Sequence, residues 1–281
     1  MSRPAIRLVA LDIDGTLLRS DKSLAPRTRR AVDAARARGV RIVLATGRRY
    51  PSARRVADEL GGHVPLILHN GALVVEDGRV LRCRALPRAA ARVAIAAGRA
   101  GGFEPVVHCG PDGEGWLLVE ASVPMRGLVA YYVERAREEL RVVPGLLAAL
   151  DDEDPIQVMF GGTPSEMEAA LAALEPALRG RARVERTVYP ATGVVLLDVI
   201  HPEVGKAEAL AFVQERWGIA AAETLAIGDN WNDREMVAAA GLGFVMGNAD
   251  PALRALGLPV LPTNDEDGVA RAIEEHVLGP A

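Results

Sequence analysis

Cysteine, lysine and asparagine are all scarce in this chain, and none of its apolar runs is long. The two cysteines, Cys83 and Cys109, are too few for a disulfide framework and lack the spacing of a metal-ligand set, so both are read as ordinary thiols. No apolar run is long enough to span a bilayer. Asp12 and Asp14 interrupt the N-terminal apolar stretch too early for a signal peptide, which leads us to expect a cytoplasmic protein. An excess of positive charge is missing as well. With 33 basic against 37 acidic residues the net charge is −4 and the signs are interspersed, so neither nucleic acid nor a membrane surface is expected as a partner. No internal repeat or low-complexity stretch occurs.

Only Lys22 and Lys206 among the basic residues are lysines, and asparagine stands only at positions 70, 230, 232, 248 and 264. Where a chain is written so consistently in Ala, Arg, Gly, Val and Leu, a residue that departs from that habit is a candidate for chemical need, and we use this as a tiebreaker. Against these shortages, 49% of the 281 residues are hydrophobic, ample for the core of one large domain or two modest ones.

The chain is organised around residues 8–18, LVALDIDGTLL. Leu8, Val9, Ala10 and Leu11 form the short continuous apolar run of a strand buried on both faces of a parallel sheet. Asp12 and Asp14, two apart at its tip, leave on one side if the extended geometry persists. Open α/β sheets bind ligands at such tips. Gly15 permits a tight turn, and the Thr16 hydroxyl can tie that turn to a carboxylate. Two close carboxylates repel unless a cation lies between them or one is protonated. All-oxygen ligands suit Mg²⁺, and an Asp aimed at phosphorus can act as a nucleophile. The alternative, an exposed acidic turn that binds nothing, is disfavoured by the apolar strand feeding straight into the acids.

DIDGT resembles the first motif of the haloacid dehalogenase superfamily, most of whose members are phosphohydrolases working through an aspartyl-phosphate. The chain in order extends that resemblance. Residues 26–38 read as a helix and 40–45 as a second buried strand, a βαβ start. Thr46, Gly47 and Arg48 follow, before a helix near residues 51–60. A Thr hydroxyl with free backbone N–H groups there makes a phosphate cradle, so Thr46 and Gly47 are candidate phosphate binders; simple N-capping is the other reading of Thr46. A third strand, residues 66–68, precedes Asn70-Gly71-Ala72, a run typical of Cof-like members. Asn70 either approaches the site or simply forms the turn. Asp77-Gly78 signals a hairpin.

From about Leu86 the pattern changes to an α+β unit with helices at residues 88–100, 125–140 and 164–178 and strands at 103–109, 116–120, 156–160, 183–188 and 194–200. It resembles the class II, type B cap of Cof-like phosphatases. The expected fold is therefore α/β: a Rossmann-like, doubly wound parallel sheet of residues 1–84 and 199–281, with an inserted α+β cap domain of residues 85–198.

After the insertion, Lys206 opens an amphipathic helix at its electrostatically unfavourable end, which a buried anion would explain; a solvated surface lysine is the alternative. A fourth strand, residues 224–227, ends in GDNWND, which matches the Cof-like fourth motif GDxxND. The resemblance implies that Asp229, the Asp12 carboxylate and the Asp14 backbone carbonyl form an Mg²⁺ site, that Asn232 binds phosphate, and that Asp233 holds Lys206 or a metal-bound water. It further implies a Mg²⁺-dependent phosphatase of small phosphomonoesters such as sugar phosphates, nucleotides or cofactor phosphates. Asp12 would be the nucleophile, and Asp14 an acid and base whose pKa is raised. The rival readings are a sugar phosphomutase, a metal-free dehalogenase, and a non-catalytic phospholigand-binding protein. The insertion's polar residues, His108, Asp151, Asp152, Gln157, Arg183 and Tyr189, receive no role, and monomer and homodimer stay open.

Overall fold

A computed structural model describes residues 4–110, 115–122, 130, 133–151, 153–190 and 192–279. The strands in chain order are β1 (Leu8–Leu11), β2 (Arg41–Ala45), β3 (Leu66–Leu68), β4 (Leu73–Glu76), β5 (Arg79–Cys83), β6 (Val106–Cys109) and β7 (Trp116–Glu120). They continue with β8 (Leu140–Val143), β9 (Gln157–Gly162), β10 (Arg183–Tyr189), β11 (Val194–Ile200), β12 (Thr224–Gly228) and β13 (Leu242–Val245). The chain divides into two compact units, Met1–Leu81 with Gly205–Ala281, and Arg82–Val204.

In the first unit β1 is buried along its whole length, and its alternating side chains feed two separate cores. Val9 and Leu11 pack with Ile42, Leu44 and residues of the helices Pro26–Ala37, Tyr50–Glu59 and Gly268–Ile273. Leu8 and Ala10 pack on the other face with Val43, Ala226 and residues of the helices Lys206–Trp217 and Arg234–Ala239. An apolar residue at every position thus reflects helices on both faces. Fully burying one such leucine contributes about 1.5–3 kcal/mol. The seven-stranded sheet has the order β13, β12, β1, β2, β3, β4, β5. Its strands β13 to β3 run parallel, and β4 is antiparallel to β3. Because the chain leaves β1 toward β2 and returns from the insertion to its other side at β12, β1 stands at the switch in winding direction. There the carboxyl ends of the strands open a crevice.

The second unit is a six-stranded sheet of order β10, β11, β9, β6, β7, β8, antiparallel except between β7 and β8. One face packs Val107, Val158, Phe160 and Leu197 against the helices Arg88–Ala100 and Pro164–Leu178. On the opposite face Val106, Leu117 and Met159 pack with Val133 and Ala136. Gln157 donates to Asp198 at 2.8 Å on that face, and Arg183 pairs with Glu185. Among the residues without a role, His108 and Gln157 are buried, Tyr189 ends β10, Asp151 pairs with Arg92, and Asp152 lies outside the described residues.

Two expected elements differ. Leu140 opens β8 rather than closing a helix, residues 136–139 forming turns before it; residues 125–129, 131 and 132 of the expected helix 125–140 lie outside the described residues. The strand expected from Phe103 begins at Val106. No helix among the described residues is long and apolar enough to cross a membrane.

Candidate active site

The tips of β12, β1, β2 and β3 lie side by side and deliver Asp229, Asp12, Thr46 and Asn70 to one end of the sheet. Asp12 is 5% exposed, and its N–H extends the β1–β12 ladder by donating to the Ile227 carbonyl at 3.0 Å. Gly15 turns the chain at φ 79°, and a Cβ there would stand 2.3 Å from Asp229 Oδ2. Glycine is required twice over, for the turn and for the approach of the second carboxylate. Thr16 donates its hydroxyl to Asp229 Oδ1 at 2.8 Å.

Lys206 is 2% exposed, and its ammonium donates at 2.6 Å to Asp12 Oδ1 and at 2.6 Å to Asp233 Oδ1. The other Asp233 oxygen accepts the backbone N–H groups of Asp229 and Asn230 at 3.1 and 3.0 Å. This packing leaves no room for a side chain at position 228, where a Cβ would lie 2.3 Å from that of Asp233. A lysine at a helix start is thus explained by two buried carboxylates that outweigh the positive end of the helix dipole.

Three carboxylates around one ammonium leave the pocket negative. Burial pushes the Asp12 carboxyl up to about 7 against the pull of Lys206, and Asp233 and Asp14 add to the rise. Burial, then Asp12 and Asp233, hold Asp229 well above the ordinary carboxylate range. Burial opposes the charge on Lys206, but Asp12 and Asp233 overcome it and raise its pKa. Carboxylate oxygens of Asp12, Asp229 and Asp233 all lie within 4.8 Å of one another, an all-oxygen donor set suited to a hard divalent cation. Since Lys206 and two N–H groups already engage both Asp233 oxygens, Asp12 and Asp229 are the pair best placed to meet such an ion.

Asp14 departs from expectation. Its carboxylate forms a forked pair with Arg48, Nε to Oδ2 at 2.6 Å and Nη2 to Oδ1 at 2.8 Å, and receives Lys22 Nζ at 2.9 Å. Burial alone would raise its pKa, but the hydrogen bonds and charges of Arg48 and Lys22 outweigh it and hold the group at about 2. The raised value expected of an acid is therefore not the value of this arrangement. Neither Arg48 nor Lys22 was assigned a role from sequence. The scarcity of lysine marked Lys22, and the place of Arg48 just past the β2 tip was the remaining signal.

Thr46 accepts the Arg48 N–H at 3.1 Å through its hydroxyl, while the following helix starts at Tyr50 with Arg49 at its cap. Thr46 is thus no N-cap, and its hydroxyl hydrogen can still be donated. Beside it, a Cβ on Gly47 would lie 3.0 Å from Asn70 Oδ1. Asn232, buried, donates Nδ2 to the same Asn70 oxygen at 2.8 Å. The structure therefore gathers Asp12, Thr16, Lys206, Asp229 and Asp233 into one cluster, Thr46, Gly47, Asn70 and Asn232 into another, and turns the Asp14 side chain to Arg48 and Lys22.

A family model described as haloacid dehalogenase-like hydrolase matches residues 9–273. The chain belongs to this family. Among relatives of this haloacid dehalogenase-like hydrolase, the HMP-PP phosphatase of Serratia proteamaculans is 30% identical over 277 residues, spanning 98% of this chain and 96% of that protein. The 5-amino-6-(5-phospho-D-ribitylamino)uracil phosphatase YbjI of Escherichia coli is 26% identical over 272 residues, with 96% of each chain covered. A crystal structure of a haloacid dehalogenase-like hydrolase from Bacteroides thetaiotaomicron superposes with a TM-score of 0.77 at 26% identity, covering 96% of this chain and 98% of that one. The subclass IIB sugar phosphatase BT4131, at 23% identity and a TM-score of 0.76 over 95% of this chain and 98% of that one, shares its fold. Haloacid dehalogenase-like enzymes generally use a divalent metal, and the acidic cluster supplies oxygens for one.

Proposed function

We propose that this hydrolase is a magnesium-dependent phosphatase of small phosphomonoesters that works through a phosphoryl group carried on Asp12. The observation that carries this reading is the placement of Asp12 at the switch point of the sheet, between the buried Lys206 ammonium at 2.6 Å and the Asp229 carboxylate. Magnesium, held by Asp12, Asp229 and the Asp14 carbonyl, would screen the charge between nucleophile and phosphate.

In the proposed reaction an Asp12 oxygen attacks phosphorus, the bond to the ester oxygen breaks, and the leaving alkoxide takes a proton. Water then attacks the aspartyl-phosphate, giving up a proton and releasing inorganic phosphate. Lys206 would offset charge on the nucleophile and on the phosphoryl oxygens, while Thr46, Gly47 and Asn232 would donate to those oxygens. With Arg48 and Lys22 bonded to it, Asp14 is ionised but a weak base, and loss of the forked bond to Arg48 would let it accept the proton of the attacking water. To protonate the leaving group it must first lose the forked bond to Arg48 and gain a proton.

Phosphate release from a panel of sugar phosphates, nucleotides and cofactor phosphates, with and without Mg²⁺, tests the reading. Metal-dependent release that EDTA abolishes is expected. No release from any ester, or release unaffected by EDTA, would contradict it.

A further inference from the structure

The turn after β3 places two non-glycine residues in succession in the left-handed region, His69 at φ 49° and Asn70 at φ 55°, followed by Gly71 at φ 106°. Side chains disfavour this conformation, and a pair of such residues persists only where the surroundings hold it. All three residues are buried, and Asn70 has no exposed surface. The turn is tied to three other segments. The N–H groups of His69 and Asn70 donate to the carbonyls of Arg48 and Thr46 at 3.2 and 3.1 Å. Gly71 lies so close to the residue before Lys206 that a Cβ there would be 2.2 Å from the Gly205 carbonyl oxygen. The Asn70 side chain accepts from Asn232 at 2.8 Å. Asn70 thus joins the segments that bear Thr46, Lys206 and Asn232.

Asn232 is 9% exposed, and its Oδ1 is buried with no hydrogen-bond partner among the described residues. An amide nitrogen carries two hydrogens, so with one of them held by Asn70 Oδ1 the other Asn232 Nδ2 hydrogen is left to offer to an anion. The backbone alone does not call for an amide at position 70, since glycine adopts φ 55° more readily than asparagine.

We propose that Asn70 is a positioning residue for phosphate, its Oδ1 holding one hydrogen of the Asn232 Nδ2 so that the other is presented to the phosphoryl oxygens. This rests on the phosphatase reading above. Asn70→Gly keeps the left-handed turn and removes the amide, so it separates the two roles of the residue. With p-nitrophenyl phosphate and Mg²⁺, the KM of Asn70→Gly and the inhibition constant of orthovanadate are expected to rise about tenfold, as for one lost hydrogen bond to a charged group. The effect should not add to that of Asn232→Ala, so the double variant matches Asn232→Ala alone. A wild-type KM and vanadate constant in Asn70→Gly, or additive losses in the double variant, would overturn the assignment.

Should Asn70→Gly fail to fold, the wild-type protein still answers. On titration with inorganic phosphate, the Asn232 side-chain N–H signals in a nitrogen-proton spectrum should shift; signals that stay in place would overturn the proposal. If the wild type releases phosphate from no ester, the phosphatase reading fails by itself. Calorimetric titration with inorganic phosphate then decides about Asn70: weaker binding to Asn70→Gly than to wild type supports the role, and equal binding or none to either protein overturns it.

Discussion

Lys206 Nζ stands 2.6 Å from Asp12 Oδ1, a buried ion pair between residues 194 positions apart in the chain. The same ammonium holds Asp233 at 2.6 Å. Removing one partner of a buried pair leaves an uncompensated charge and costs about 3–5 kcal/mol. Lys206→Met should therefore lower unfolding free energy by that order in urea denaturation at pH 8. The loss should be smaller at pH 5, where Asp12, with its pKa at about 7, is protonated. An equal loss at both pH values would count against the charge argument.

The metal-free pocket has its own pH signature. Folded Asp12 titrates at about 7 against an ordinary 3.8, and Asp229 is shifted the same way. The native state thus binds more protons than the unfolded chain in this window, and stability falls as pH rises from about 4 through 7. A divalent cation replaces those protons. The increase in melting temperature on adding MgCl₂ should be larger at pH 8 than at pH 5, as measured by differential scanning fluorimetry. An increment that is greater at pH 5 would contradict this.

Asp14 has the opposite sign. Its folded pKa of about 2 lies below the ordinary 3.8, so the Arg48 and Lys22 contacts contribute stability above that value and lose it as pH falls through 2. Arg48→Met should raise the Asp14 pKa toward or above 3.8, read from the carboxyl carbon shift in a pH titration. A value still near 2 would mean that Arg48 is not what holds it down.

Two glycines with nearly the same backbone separate strain from obstruction. Gly15 and Gly39 have φ 79° and 81°, but only at Gly15 would a Cβ strike a side chain, Asp229 Oδ2 at 2.3 Å. Gly39→Ala should cost only the left-handed strain, about 1 kcal/mol. Gly15→Ala should cost more, and it alone should weaken Mg²⁺ binding, as read by calorimetric titration. Matching losses of metal affinity in the two variants would remove Asp229 from the metal site.

Much of the first unit was legible because apolar runs buried on both faces end abruptly in chemistry. Residues 8–11 run into Asp12 and residues 224–227 into Asp229, and the structure sets these two tips on neighbouring strands. Scarcity helped too. Asn230 caps the Trp231 N–H, Asn248 donates to the Gly15 carbonyl, Asn264 donates to the Leu18 carbonyl, and Asn70 and Asn232 bond each other. Each holds a loop in place. The forked pair between Arg48 and Asp14 was not legible, since it joins separate strand tips and arginine is common throughout the chain. In the second unit the buried pair Gln157 and Asp198 had only a faint signal, one polar residue inside each apolar strand run.

The most direct test is to quench the enzyme in acid during turnover of p-nitrophenyl phosphate with Mg²⁺ and map the peptides by mass spectrometry. The account predicts a phosphoryl group on the peptide carrying Asp12, absent from an Asp12→Asn variant that folds normally and does not turn over. Wild-type turnover by Asp12→Asn, or a phosphoryl group trapped on another residue, would contradict it.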